Sequence, residues 1–505
     1  MRMFSRWLKK KEQVKHSTPH EEHIIHNELA KNLDQLKQLF YYAPDFQFKE
    51  ITTKSGDKAL LVYLEHIVDK VAINEHILKP LMYAVESIDE MHIPIFKTEN
   101  ALQIEEVEKS LYAGKSVLFV EGKTFATIFD TQGWPQRAIK EPQTESTLKG
   151  AHQGFVETAG QNIAIVRRYL PHRELTVKSY EVGLRGKTKV FMLFLKDVVN
   201  PEIVAEMEDR IQQVKTDAII NAGQLVEYIE DHPNSLFPQL LQTERPDALV
   251  ANLLQGRFAI IVDLSPYAIV GPMTLTSFFQ SVDDYSTRWV IASFARLLRF
   301  FAFFITITLP SFYIAAITFH YEILPLDLLI SIGVSREKVP FPPIIEAIVM
   351  EISLEMIREA GVRLPAPIGQ TIGVVGGIVI GQAAVQAGVV SNIMVIVVAI
   401  TAISSFIIPN LDVSLGARLI RFPMMLIATI YGLVGIAVGL MIVFANIINM
   451  ESLGEPYGSP FSPIKFIDWK DTWVRFPLWK MDQRPTSTNS VQTMRQRTSR
   501  KGRDR

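Results

Sequence analysis

The 505-residue chain contains no cysteine, which excludes a disulfide framework, a thiolate nucleophile, an iron–sulfur cluster and a cysteine zinc site. The compartment stays open, because a cysteine-free chain suits either redox environment. Net charge is scarce too: 52 Lys+Arg stand against 53 Asp+Glu. Charge is missing altogether between Pro367 and Pro409, where 41 consecutive residues include no Asp, Glu, Lys or Arg. A membrane crossing needs only about 20 apolar residues, so a fully soluble enzyme is ruled out. Glycine and proline, 27 each, are too few for a collagen-like or low-complexity chain. No Gly-x-Ser-x-Gly elbow is present, and nothing else points to an enzyme or a cofactor.

The even charge balance hides an uneven distribution. Residues 465–505 carry eleven basic and four acidic side chains, residues 300–464 six and ten, and residues 1–299 the remaining 35 and 39. A basic tail after the last apolar segment suits the cytoplasmic side of a membrane, where anionic lipid attracts Lys and Arg. The N-terminus, MRMFSRWLKKKEQVKH, is basic but has no apolar core behind it, so it does not read as a cleaved signal peptide. Residues 1–285 are expected to stay out of the membrane.

At roughly 150 residues per domain the length suggests about three units. A variable leader and a first amphipathic helix occupy 1–50, with Ile25, Leu29, Leu33, Leu36 and Phe40 at helical spacing. Strand-like runs then alternate with helical ones, predicting an α/β soluble region of two subdomains, 51–150 and 151–285. An all-α polytopic membrane domain follows over 286–450. Its four predicted spans lie near 300–319 (broken at Pro310), 368–388, 391–409 and 423–447, with Arg296 and Arg299 snorkelling at the first. An even number of spans puts the basic, largely disordered tail 451–505 on the same side as the N-terminal region. Arg418 and Arg421, in the predicted 410–422 loop, count against that topology.

Three motifs weigh little. Ala113-Gly-Lys-Ser116 resembles the end of a phosphate loop, but Lys109 stands where the first glycine is needed. His16, His20, His23 and His26 are spaced as on one helix face, yet a solvated face explains them better than a metal site. Asp283 and Asp284 read equally well as a cation site or as a polar collar before a membrane helix.

The second predicted span is more informative. Gly369, Gly373, Gly377 and Gly381 recur every four residues, drifting about 40° per step, and form one backbone-exposed stripe suited to close helix packing. On the opposite face fall Thr371, Val375, Val379, Gln382 and Gln386. Polar amides inside a membrane face protein or water rather than lipid, which leaves two readings, a packing contact or the lining of a water-filled path. Just before it, Pro343–Glu359 reads as a two-faced helix. Ile345, Val349, Ile352 and Met356 share one side, while Glu351, Glu355 and Glu359 form an acidic stripe. The stripe is either solvent-exposed or, in an assembly around an axis, an acidic vestibule that concentrates cations.

Several ordered segments resemble a known family: Arg137-Ala-Ile-Lys-Glu-Pro142, Gly150-Ala-His-Gln-Gly-Phe-Val-Glu157, Arg167-Arg168, Thr243-Glu-Arg-Pro-Asp247, Gly256-Arg257 with Asp263, and Asp283-Asp-Tyr285. Val339-Pro-Phe-Pro342, Arg358-Glu-Ala-Gly-Val-Arg-Leu-Pro365 and Gly381-Gln-Ala-Ala-Val385 continue the series. Over roughly 110–450 the chain is similar to the A subunits of bacterial spore nutrient-germinant receptors, the GerA family. That resemblance implies a multi-pass protein of the spore inner membrane, with its N-terminal region and tail facing the spore core. It implies partnership with a transporter-like B subunit and a lipoprotein C subunit, self-association into a ring, and no nucleic acid. It also implies an ion channel gated by nutrient binding to a partner, which turns the Gln382–Gln386 face toward a pore. The alternative is a non-conducting scaffold or signalling adaptor of the same receptor.

Overall fold

The computed structural model describes residues 24–40, 43, 45–53, 56–84, 98–133, 142, 145, 147, 149–365, 376–377, 379 and 381–495. They fall into two compact units, Met1–Gln136 with Leu170–Arg173, and Arg137–Tyr169 with Glu174–Arg505.

The first unit is built on a five-stranded sheet. Strands β1 (Phe46–Thr52), β2 (Lys58–Leu64), β3 (Thr98–Ala101), β4 (Ser116–Val120) and β5 (Ala126–Phe129) lie in the order β1-β2-β4-β5-β3, and every pairing is antiparallel. Central β4, SVLFV, is buried at all five positions, as a strand covered on both faces must be. Leu61, Leu118 and Val120 point to one face, against Ile73, Ile77 and Leu81 of the helical segment that opens with α2 (Lys70–Ala72). Helix α3 (Ile104–Tyr112) packs with α1 (Leu29–Leu39), joined by the Phe40–Tyr112 ring contact.

The second unit repeats the plan. Strands β6 (Leu175–Val182), β7 (Thr188–Leu195), β8 (Leu241–Thr243), β9 (Phe258–Val262) and β10 (Ala268–Gly271) are ordered β6-β7-β9-β10-β8, again antiparallel throughout. Helices α5 (Pro201–Gln213) and α6 (Ala222–Ile229) cover the face that carries Val190, Met192, Ile260 and Val262. The alternate residues Ala259 and Ile261 face away from them, on the side of α4 (Ala159–Tyr169) and α7 (Pro246–Leu253). Asn200 and Asn221 cap α5 and α6, accepting from Glu202 N at 3.0 Å and Gln224 N at 2.9 Å. The N-terminal region thus has the α/β make-up expected, with antiparallel strands in both sheets.

A short turn, α8 (Asp283–Ser286), leads into the helical part of this unit. It contains α9 (Trp289–Thr318), α10 (Leu326–Arg336), α11 (Pro343–Arg363), α12 (Asn392–Ile407) and α13 (Leu411–Asn449). Tyr313 and Ile314 of α9, Met350 of α11, Met394 and Val398 of α12 and Met425 of α13 form its core. Among the described residues, α9 and α13 are long and apolar enough to cross a membrane, whereas α12, also apolar, has 16 residues. The predicted count of four spans is not established by these helices.

Three local expectations are corrected. Helix α9 continues through Pro310 instead of breaking there. The predicted 410–422 loop is helical, because the Asn410 side chain accepts from Val413 N at 3.0 Å and starts α13 at Leu411. The predicted span 423–447 is not one straight helix, since Gly432 interrupts α13 at φ 60°, ψ −139°. Eight residues of straight helix would hold Ile427 and Gly435 about 12 Å apart. A Cβ built on Gly435 instead lies 2.6 Å from the Ile427 carbonyl oxygen, so the two arms fold back on each other.

The tail also differs from its expectation over Glu451–Arg495. Tyr457 is fully buried and donates to Pro238 O at 2.8 Å. Leu453 joins the second sheet's core while its N–H donates to Asp231 Oδ2 at 2.7 Å. Charge-based reasoning missed this because the tail's aromatic side chains, not its net charge, decide where it packs.

The fold-back predicts a specific glycine requirement. That φ/ψ combination is open to glycine and costs other residues about 1–3 kcal/mol, and a Cβ there would lie 2.9 Å from His320 Nε2. Gly432→Ala should therefore lower the melting temperature of the detergent-solubilised chain. Gly333→Ala, inside α10 with nothing within 4 Å of the added carbon, should leave it unchanged or raise it. Equal behaviour of the two variants would contradict a glycine-dependent reversal.

Candidate functional site

Helix α11 is turned inside out. Ile345, Val349, Ile352 and Met356, the apolar side read from the sequence, are 40, 41, 45 and 61% exposed, while Glu346 and Glu351 are 1 and 3% exposed. Burying a carboxylate costs several kcal/mol unless it is paired and hydrogen-bonded, and each carboxylate here has partners. Glu346 accepts from Ser391 N at 2.9 Å and pairs with Arg336 at 3.2 Å. Glu351 pairs with Arg421 of α13, both almost wholly buried. Glu355 pairs with Arg418 at 2.9 Å and Arg358 at 3.3 Å, and Glu359 with Arg363 at 2.6 Å. The stripe read as acidic is, within one chain, a ladder of ion pairs whose first rung lies inside the unit.

Arg421 does a second job. Proline has no N–H, so the carbonyl four residues before Pro310, that of Thr306, lacks its helical donor. Arg421 Nε donates to Thr306 O at 2.9 Å. The same guanidinium therefore satisfies an orphan carbonyl on α9 and a buried carboxylate on α11. Composition alone concealed this, because the two arginines looked like loop charges.

A second buried cluster ties the tail to α9. Arg296, expected to snorkel, is fully buried. It donates to Asp284 Oδ2 from Nε at 3.2 Å and Nη2 at 3.1 Å, and to Asp471 Oδ1 from Nη1 at 2.8 Å. Arg299 Nη1 reaches Asp284 at 2.8 Å, and Tyr285 donates to Asp471 Oδ2 at 2.7 Å. The cations that Asp284 holds are thus two arginines. Trp473 packs against Phe300 with its ring tilted by 43° and ring centres 4.4 Å apart. Burial pushes the Asp471 carboxyl up, and Arg296 opposes the shift.

Of the glycine stripe, Gly369 and Gly373 lie outside the described residues, as do Thr371 and Val375 of the opposite face. Gly381 is buried, with Val395 Cγ1 3.7 Å from a built Cβ, while Gly377 is exposed and has open space there. Val379, Gln382 and Gln386 are exposed, so the described part of that face is uncovered in a single chain.

The weaker motifs find ordinary places. Ala113–Ser116 is the turn from α3 into β4, the reverse of the strand-to-helix order a phosphate loop needs. Lys115 pairs there with Glu99 at 3.4 Å. Among the described residues no group of three or more His, Asp or Glu is placed to hold a metal; His16, His20 and His23 lie outside them.

Comparison with known proteins connects this geometry to a family. The Bacillus/Clostridium GerA spore germination protein model matches residues 34–487. The chain belongs to the GerA family. It is 37% identical over 94% of its length to Spore germination protein KA of Bacillus subtilis (strain 168), covering 89% of that protein. Spore germination protein GerQA of Bacillus cereus is 38% identical over 92% of this chain and 94% of its own length. The Uncharacterized membrane protein YfkQ of Bacillus subtilis (strain 168) is 38% identical over 94% and 93%. Among solved structures, the N-terminal domain of the A subunit of the Bacillus megaterium spore germinant receptor GerK3 aligns over 49% of this chain and 96% of that one. Its sequence identity is 24% and its TM-score 0.39. Family segments quoted from the sequence line the buried polar clusters: Arg245 pairs with Asp247 at 2.6 Å, Asp263 accepts from Ala159 N at 3.0 Å, and Asp284 and Tyr285 hold the α9 cluster.

The ion-pair geometry makes a quantitative prediction. Arg421→Gln leaves Glu351 buried without a cation, which should cost about 3–5 kcal/mol. Glu351→Gln with Arg421→Gln should recover a large part of that, and adding Pro310→Ala, which restores a donor to Thr306 O, should recover more. Denaturation of the four proteins in one detergent checks this; additive losses would rule out the shared role of Arg421.

Proposed function

We propose that this GerA-family chain is the A subunit of a nutrient-germinant receptor and supplies its ion channel as a ring of identical copies. A transporter-like B subunit carrying the nutrient site and a lipoprotein C subunit complete the receptor. Membership of the GerA family and the similarity to spore germination proteins support the role in germination. Supporting the channel is a single feature: charged groups of the helical unit pair inward while a helix bearing Val379, Gln382 and Gln386 presents them outward, uncovered. Outward amides beside long apolar helices suit a lumen shared between copies better than lipid.

On this reading the chain spans the spore inner membrane several times, with its sheet region and tail on the core side. The tail packs on the same unit as the second sheet, which agrees with one side for both. Nutrient binding to the partner opens the ring only by binding its open and closed states with different affinity. Val375 and Val379 form the apolar constriction, Gln382 and Gln386 with Thr371 the wettable stretch, and Gly369, Gly373, Gly377 and Gly381 the seam between helices. The stripe Glu351, Glu355 and Glu359 serves as the acidic vestibule only where its arginine partners leave charge uncompensated. The full arginine complement of that stripe favours a second reading, in which the subunit conducts nothing and passes the signal on as an adaptor.

Two measurements decide. Purified receptor in liposomes should pass monovalent cations on nutrient addition; no flux with all subunits and nutrient present would leave only the adaptor. Apolar constrictions block ions by dewetting, so Val379→Ala should give spores that germinate or lose cations without nutrient, at normal protein level. A weaker response without any leak would show ordinary packing.

A further inference from the structure

A cavity of about 420 Å³ opens within the second unit, between the β8–α7 edge of the sheet and helices α11, α12 and α13. Its walls carry three guanidinium groups, those of Arg245, Arg358 and Arg418. The charge on them is not fully matched. Arg245 is 3% exposed and has its own carboxylate, Asp247, at 2.6 Å. Arg358 and Arg418 share one, Glu355, at 3.3 and 2.9 Å. One positive charge is therefore left over at the wall formed by α11 and α13.

Arg418 is the sharper observation. It is 7% exposed, and its Nε has no hydrogen-bond partner among the described residues. An unpaired guanidinium nitrogen in a buried position is destabilising, and a ligand oxyanion placed in the cavity would remove that penalty. Arginine's planar fork suits phosphate and carboxylate oxygens better than a point ammonium does. Glu145, also on the wall, offsets the excess only in part near neutral pH. Its carboxyl accepts from Thr243 Oγ1 at 2.6 Å and is pushed up to about 7 by burial, against the pull of Arg245 and with the push of Glu244. Beside the mouth, Phe406 and Leu411 are 71 and 60% exposed, and Arg358 lies over the Phe406 ring at 4.8 Å. The polar well thus has an apolar lip.

We propose that this cavity is a binding site for a phosphate group, held by Arg358 and Arg418 above Arg245. Two sources carry that chemistry, the headgroup of an anionic phospholipid and free phosphate. Neither depends on whether the chain conducts ions.

The test uses the full chain in detergent. One arm titrates inorganic phosphate calorimetrically; the other measures retention of phosphatidylglycerol against phosphatidylcholine by native mass spectrometry. Arg418 is the buried partner of Glu355, so Arg358→Gln, which removes the longer and more exposed of the two Glu355 pairs, and Ala248→Leu, which fills the cavity from α7, carry the comparison. Each should weaken binding about tenfold or more with little change in melting temperature. Arg363→Gln, on the exposed end of α11, should bind as the unmodified chain does. Preferential retention of phosphatidylglycerol without phosphate binding assigns the lipid headgroup, and saturable phosphate binding assigns the soluble anion. Binding in neither arm, or binding indifferent to both cavity variants, overturns the site.

Discussion

Arg421 holds the helical unit together. Its side chain runs from α13 to two groups for which it is the side-chain partner found among the described residues, the Glu351 carboxylate on α11 and the Thr306 carbonyl freed by Pro310 on α9. Each alone is a liability in an apolar setting, since an unpaired carboxylate or backbone carbonyl costs far more there than in water. One guanidinium partners both, through Nε and Nη1, while Glu351 Oε1 and Arg421 Nη2 have no partner among the described residues. Three helices distant in sequence are thereby fixed at one level and in one rotation, something the surrounding Leu, Ile and Val contacts do less selectively.

The arrangement explains the polarity of the helices around it. Once Glu346 and Glu351 of α11 turn inward to arginine and backbone donors, Ile345, Val349, Ile352 and Met356 must turn outward. An uncovered apolar face of that extent is not a stable end state in water. Lipid or neighbouring copies covering it turn the same pattern into a favourable one, because polar groups then remain inside and apolar ones meet an apolar medium.

Much of this organisation was legible in the sequence, and what escaped has a physical cause. The α/β make-up of the N-terminal region could be read because strand-like and helical runs alternate there. The family likeness was carried by polar segments such as Thr243–Asp247 and Asp283–Tyr285, which the structure buries in ion pairs and hydrogen bonds. Arg418 and Arg421 were misplaced because a charge inside an apolar stretch reads locally as a loop. Only its partner, 63 or 70 residues away on α11, shows that it can be buried. The same holds for Arg296, whose acidic partners are Asp284 nearby and Asp471 far along the chain. Periodicity records which residues share a face of one helix; it does not record which face meets another helix.

The clusters around Arg421 and Arg296 also bear on how a signal could travel through this unit. Helix α9 carries both, Arg296 near its start and Thr306 three turns on, about 15 Å along the axis. Its first end is locked to Asp284 and to the tail through Asp471, and its middle to α11 and α13 through Arg421. A rotation of α9 would strain both clusters together, because hydrogen-bonded ion pairs tolerate small displacements poorly. Packed interfaces of this kind switch between discrete arrangements and do not deform continuously. The sheet side of the unit and its helical core are therefore mechanically joined along one helix. Any conformational change that moves one end of α9 as a rigid rod must either carry the Arg421 knot with it or break it.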